Sequence, residues 1–198
     1  CVKVGICGKK SDVAALQDLL TYAVRGLSHL SVSGRSVGIN DADINRFSLK
    51  AIFSTLTNVN FDPARLEALI RETAEKRKTL EKKIADAGGN ILFDDPAAAF
   101  APADDMAGLV KQGEEVRLPI DWDRDPDVRS LQETTLYGIR GAAAYADHAA
   151  ILGQEDDEVY ASLQEKLSQL MDKSLGLQDW VGLALDTGKT NLRAMELL

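Results

Sequence analysis

The chain has 198 residues, 45% of them hydrophobic, enough to bury a core without disulfides, and its formal charge is −8. An acidic balance of that size opposes a phosphate backbone, so nucleic acid is excluded as an expected partner. No apolar run approaches the length of a membrane span, so no membrane partner is expected.

The chain opens CVKVGICGKK, and Cys1 and Cys7 are its only cysteines. Their C-x5-C spacing is wider than the C-x2-C of most zinc knuckles and thiol redox sites. Two thiolates are also only half the ligand set of an iron–sulfur cluster or a closed zinc site. Taken alone, the motif is unfinished. Neither a methionine nor a charged-then-apolar leader opens the sequence. With so few cysteines, this points to a reducing, cytoplasmic compartment and to a piece of a longer polypeptide.

Behind the cysteines, Val13, Leu16, Leu20, Val24, Leu27 and Leu30 recur at steps of three and four, predicting an amphipathic helix over 12–30 capped at Ser11 or Asp12. A shorter pattern runs Ile44, Phe47, Ile52, Leu56 and ends in the turn-forming STLTNVNFDP. Asp62-Pro63 reads as the N-cap and first residue of a third helix. That helix carries Leu66, Ile70, Ala74, Leu80 and Ile84, with Glu67–Arg71 and Glu72–Lys76 as exposed i,i+4 pairs, and Gly88-Gly89 stops it.

From 90 to 126 the character changes. Four of the five prolines fall here, and between Asp94 and Asp127 ten acidic residues oppose only Lys111, Arg117 and Arg124. This reads as an acidic connector with at most one short helix near Asp104–Gln112. Helical patterns resume at 127–153, about 156–173 and about 177–197.

The two ends of this layout are related. DVAALQDLLTYAVRG (12–26) aligns without gaps on DVRSLQETTLYGIRG (127–141), with seven positions identical. The matches Asp12/Asp127, Gln17/Gln132, Tyr22/Tyr137, Arg25/Arg140 and Gly26/Gly141 carry more weight than the apolar ones, which any two amphipathic helices share. The expected fold is therefore all-α: two tandem three-helix bundles over 1–89 and 127–198, related by an internal duplication and joined by the connector 90–126.

Other constellations read as structure. Gly188-Lys189-Thr190 lacks the upstream glycine spacing and the strand of a phosphate loop. His29 and His148 are the only histidines; Tyr145 stands where a di-iron bundle needs a glutamate before His148, so both read as packing residues. Gly26 and Gly141 each weaken a helix by about 1 kcal/mol relative to alanine, which suggests close helix crossings. Arg25 and Arg140 beside them are candidates to anchor loops or acidic groups.

The stretches CVKVGICGK, DVAALQDLLTYAVRGLS, FSTLTNVNFD and DVRSLQETTLYGIRGAAAYADHAAILG resemble the hybrid-cluster (prismane) proteins, also called hydroxylamine reductases. The resemblance implies that Cys1 and Cys7 match the third and fourth thiolate ligands of a [4Fe-4S] or [2Fe-2S] cluster, whose first two ligands lie in an upstream C-x2-C. The cofactor-binding and metal-binding residues expected in this chain are thus Cys1 and Cys7, holding half a site. It further implies downstream α/β domains, whose Cys, His and Glu ligands hold a hybrid Fe-S-O cluster where hydroxylamine or nitric oxide is reduced. No residue here matches those ligands, so no catalytic residue is assigned. The parent would be an iron-sulfur oxidoreductase served by a redox electron donor protein; the helical part would cover the α/β domains, carry the electron-entry site, be inactive alone and be open to self-association. The competing reading is a non-enzymatic helical interaction module with a Cys1/Cys7 thiol switch, because a disulfide can span five intervening residues.

Overall fold

Seven α-helices and one 3-10 turn form the architecture, with no extended strand among the described residues of the computed structural model, which are 5–91, 95–116 and 124–198. The all-α expectation holds. The helices are α1 (Ser11–Ser36), α2 (Ala42–Ser54), α3 (Pro63–Asp86), α4 (Met106–Val116), α5 (Pro126–Ile151), α6 (Asp157–Gln169) and α7 (Leu177–Glu196).

Aspartates set most of the helix starts. Asp41, Asp62, Asp125 and Asp156 each accept a hydrogen bond from a backbone N–H of the first turn, and proline follows Asp62 and Asp125 directly. This is the capping chemistry expected where four N–H groups lack helical partners. α1 differs from its expectation: its N-cap is Lys10, without a side-chain cap, and Asp12 instead accepts from the Val13 N–H at 2.8 Å.

α1 is the central element. Leu16, Leu19, Leu20, Val24, Leu27 and Leu30 are fully buried and lie on several sides of the helix, as befits a helix with neighbours all round. α3, α4 and α6 pack against it, as does the 3-10 turn Pro96–Ala99.

The region read as a connector contributes to this packing. Ala98 and Leu109 join the same apolar cluster as α1, α3 and α6, and Ala97 is fully buried. The sequence pattern gives no sign of the 3-10 turn, and α4 runs two residues later at its start and four later at its end than the short helix expected there. Periodicity is weak in so short a segment, and its helices are set by what they cover.

α1 and α5 are both 26 residues long, and α2 and α6 are both 13. α1 packs on α3 as α5 packs on α7, and α1 packs across on α6 as α5 packs across on α2. Two of the shared residues act alike. Gln17 donates to the Asn60 carbonyl at 2.8 Å and Gln132 to the Leu170 carbonyl at 3.2 Å, each in the segment after the middle helix of its unit.

The glycine expectation divides. A methyl group built on Gly26 would overlap the Ala97 carbonyl, so a close crossing exists there, made by the 3-10 turn. Nothing comes within 4 Å of a methyl group built on Gly141. Gly188-Lys189-Thr190 lies inside α7, with Thr190 hydrogen-bonded to Ser162 and no phosphate-loop geometry.

Candidate functional site

The described part of the N-terminal cysteine motif is a tight turn set on the start of α1. The Gly8 N–H donates to the Gly5 carbonyl at 2.9 Å, and the Gly5 N–H donates to the Lys9 carbonyl at 2.9 Å. Gly8 has φ +83°, in the left-handed region that glycine enters without a Cβ clash. The turn pushes Ile6 and Cys7 outward, and the Cys7 thiol is exposed. Cys1 lies outside the described residues, so the expected closeness of the two thiols also falls outside them.

The next residue pair anchors the turn. Lys9 is 9% exposed, and its Nζ donates to Gln17 Oε1 at 2.6 Å. Gln17 in turn reaches the Asn60 carbonyl, and the Lys9 ammonium stands 5.7 Å from the centroid of the Phe61 ring. Thus α1 and the NVNFD loop after α2 clamp the base of the turn. Asn58 in that loop has φ +67°, a conformation that asparagine tolerates better than most residues.

Charged groups surround the turn, with Asp18 acting on both Lys9 and Arg140. Burial holds the Lys9 ammonium below its ordinary value, with a nearby Cys7 thiolate opposing that shift and the Arg140 charge adding to it. Arg140 comes from α5, donating from Nε to Thr55 Oγ1 at 2.9 Å and from Nη2 to Thr21 Oγ1 at 3.2 Å. Burial also lowers the Arg140 pKa, partly offset by Asp18.

The donor set decides what can be held here. Among the described residues no group of three or more His, Cys, Asp or Glu side chains converges on a metal position. The 198 residues contain two cysteines, and a cubane cluster takes four thiolates. Cys7 on its turn fits one ligand position of such a cluster, but the residues of this chain do not complete one. The histidines lie elsewhere: His29 Nδ1 is 3.1 Å from Ser168 Oγ, and His148 packs edge-on against Phe53 at 5.4 Å between centroids.

Lys9 and Asn60 do not stand out in the sequence as site residues. Gln17 and Arg140 do, as two of the polar matches between 12–26 and 127–141, and Arg140 as a candidate anchor. Arg25, the counterpart of Arg140, acts differently. It pairs with Asp95 at 2.5 Å and stacks over Tyr22, with 5.0 Å from Cζ to the ring centroid. A cavity of about 570 Å³ opens beside Tyr22, Arg25 and His29; no residue of the cysteine turn lines it.

The model of the Prismane/CO dehydrogenase family matches residues 1–198, the whole of this chain. Among curated proteins, the chain is 52% identical over 198 residues to the hydroxylamine reductase of Syntrophobacter fumaroxidans, covering all of this chain and 36% of that protein. It is 48% identical over 199 residues to the hydroxylamine reductase of Methanocella arvoryzae, again over the whole chain and 37% of the relative. The hydroxylamine reductase of Geobacter metallireducens is 40% identical over 204 residues, with 37% of its length covered. The chain therefore spans a little over a third of the length of the curated relatives it matches.

Proposed function

The chain belongs to the Prismane/CO dehydrogenase family, and from that premise we propose that it is the helical part of an iron–sulfur oxidoreductase that reduces hydroxylamine. The observation that carries this reading is the match along the whole chain to proteins named hydroxylamine reductase, at up to 52% identity. In this reading Cys1 and Cys7 are two of the four thiolates of an electron-entry cluster, [4Fe-4S] or [2Fe-2S], and the other two come from outside the 198 residues. The cluster, when bound, supplies one-electron transfer toward the catalytic centre.

The chain's own residues hold and tune that ligand position. The Gly5–Gly8 turn presents Cys7 outward, and the Lys9–Gln17–Asn60 chain of hydrogen bonds fixes the base of the turn. Lys9, whose charge interacts with Cys7, would favour an anionic thiolate cluster there. Reduction of the N–O bond belongs to a hybrid Fe-S-O cluster held by the α/β domains. An electron donor protein would dock near the exposed Cys7 turn. The same reading treats α1–α3 and α5–α7, within 1–89 and 127–198, as duplicated units joined by 90–126; their matched helix lengths support it.

Anaerobic reconstitution with iron and sulfide, followed by hydroxylamine-dependent oxidation of a reduced dye, tests the proposal on the full-length protein and on the 198-residue chain. Turnover is expected from the full-length protein and none from the shorter chain. An inactive full-length protein with its iron and sulfide fully incorporated would overturn it. Cys7→Ser in the full-length protein should lower incorporated iron and slow turnover from the dye.

A further inference from the structure

The same five-residue pattern, Tyr-x2-Arg-Gly, is crossed by a backbone segment at its glycine on one helix and left open at its tyrosine and glycine on another. On α1 it is covered by the segment Asp95–Phe100. Arg25 pairs with Asp95, Tyr22 meets Phe100 edge-on at 5.7 Å between centroids, and the Ala97 backbone lies so close over Gly26 that no side chain fits. Arg77 of α3 holds that segment down by donating to the Ala98 carbonyl at 2.5 Å. One turn after Gly26, Leu30 is fully buried.

On α5 Arg140 is held by Thr21 and Thr55, but among the described residues nothing crosses the tyrosine and glycine positions. Gly141 faces open space; Tyr137 is 58% exposed, and Tyr145, which corresponds to Leu30, is 38% exposed. Tyr137, Gly141 and Tyr145 are four residues apart, so they stack along one face of the helix. The partner helix adds to this. α7 packs on α5 and leaves Leu177, Leu185, Leu192 and Met195 exposed at helical spacing. Two tyrosines, a glycine that weakens its helix and a run of bare leucines are unfavourable as a final surface.

We infer that the α5 face at Tyr137, Gly141 and Tyr145 is a docking surface for the part of the full-length polypeptide outside these 198 residues, with a backbone segment crossing over Gly141 as the 3-10 turn crosses Gly26. The occupant follows from length: the relatives matched here carry nearly two-thirds of their residues beyond the matched region, and that mass has to pack on this unit. The inference rests on the proposed reading of the chain as part of such a protein. It adds the face used and the reason for the glycine.

The full-length protein is the material for the test, and hydroxyl-radical footprinting is the first readout. Tyr137 should react as slowly as Tyr160, which is 4% exposed here, and its protection should persist on dilution. Tyr137 reacting as an open residue would overturn the inference, as would protection that disappears on dilution, which would assign the face to a second copy. The second readout compares two glycines that both face open space here, Gly141 on α5 and Gly182 on α7 outside the apolar stripe. Gly141→Leu should lower the full-length Tm by at least about 2 °C and expose Tyr137, while Gly182→Leu holds or raises the Tm and leaves Tyr137 protected. Equal tolerance of the two substitutions would overturn the inference. Hydroxylamine turnover of the wild type, measured on the same preparation, separates the two readings: turnover with Tyr137 open removes the docking surface alone, and an inactive, fully loaded protein removes the proposed function.

Discussion

α1 and α5 carry nearly the same sequence signature and live in different surroundings. Both are 26 residues long; α1 packs on α3 and α6, and α5 packs on α7 and α2. α1 is then wrapped further by α4 and the 3-10 turn, and its arginine finds a carboxylate. α5 receives no such wrapping, and its arginine turns to the hydroxyls of Thr21 and Thr55. One local pattern thus meets two surroundings, a crossing backbone at Gly26 and open space at Gly141.

The sharpest way to break this comparison is to cut the arginine contacts. Asp95→Ala leaves the Arg25 guanidinium buried without its partner, and removal of one member of a buried pair costs about 3–5 kcal/mol. Arg140→Met removes hydrogen bonds to the neutral hydroxyls of Thr21 and Thr55 together with a longer-range attraction to Asp18, and should cost about 1 kcal/mol. Denaturant unfolding of the 198-residue chain measures both. Equal losses would mean that the two surroundings are alike after all.

A smaller and opposite pair of effects comes from the glycines. Gly26→Ala drives a methyl group into the Ala97 backbone and should destabilise by about 2–3 kcal/mol, in line with overpacking at sites that cannot give way. Gly141→Ala meets nothing within 4 Å and should stabilise the same chain by up to about 1 kcal/mol through helix propensity. Thermal unfolding of the two variants reads the sign directly. A loss at Gly141 in the 198-residue chain would show that its face is already covered.

The smallest effect concerns the ion pairs that tie each third helix to its middle helix. In the first unit Lys76 Nζ meets Asp43 at 2.6 Å, and the aspartate is 81% exposed. In the second, Lys166 is only 4% exposed and meets Asp186 at 2.6 Å. The hydrogen bond from Lys166 is the main reason the Asp186 carboxyl lies below its ordinary range. Because the folded-state value is depressed, this contribution is present above about pH 4, the unfolded range, and is lost as pH falls through the folded-state value. Asp186→Asn should therefore cost about 1 kcal/mol at pH 7, a figure reduced by the aspartate's own exposure, with the difference from wild type closing below about pH 4. Asp43→Asn should stay within about 0.5 kcal/mol across that range. A pH-independent Asp186 difference would remove the linkage.

Most of the helical layout is legible without coordinates, and the reasons are local. Leu16, Leu20, Val24 and Leu27 announce α1 by spacing alone, and Asp62-Pro63 announces α3 by its cap. Gln17, Tyr22, Arg25 and Gly26 announce a relation to α5 through polar identities that amphipathicity does not require. The cysteine motif is readable as half a ligand set from its count and spacing. What escapes is every contact made across long stretches of chain: Arg25 with Asp95, Arg140 with Thr55, and Lys9 held by Gln17 over the Phe61 ring. Nothing in the sequence around Lys9 marks it as buried, and the loop after α2, arriving from about fifty residues away, sets Phe61 beside it. Helix periodicity and capping act between residues three or four apart and are written in the sequence. The partner of a buried charge is chosen by the path of the folded chain, which brings Asp95 over α1 and leaves Gly141 open.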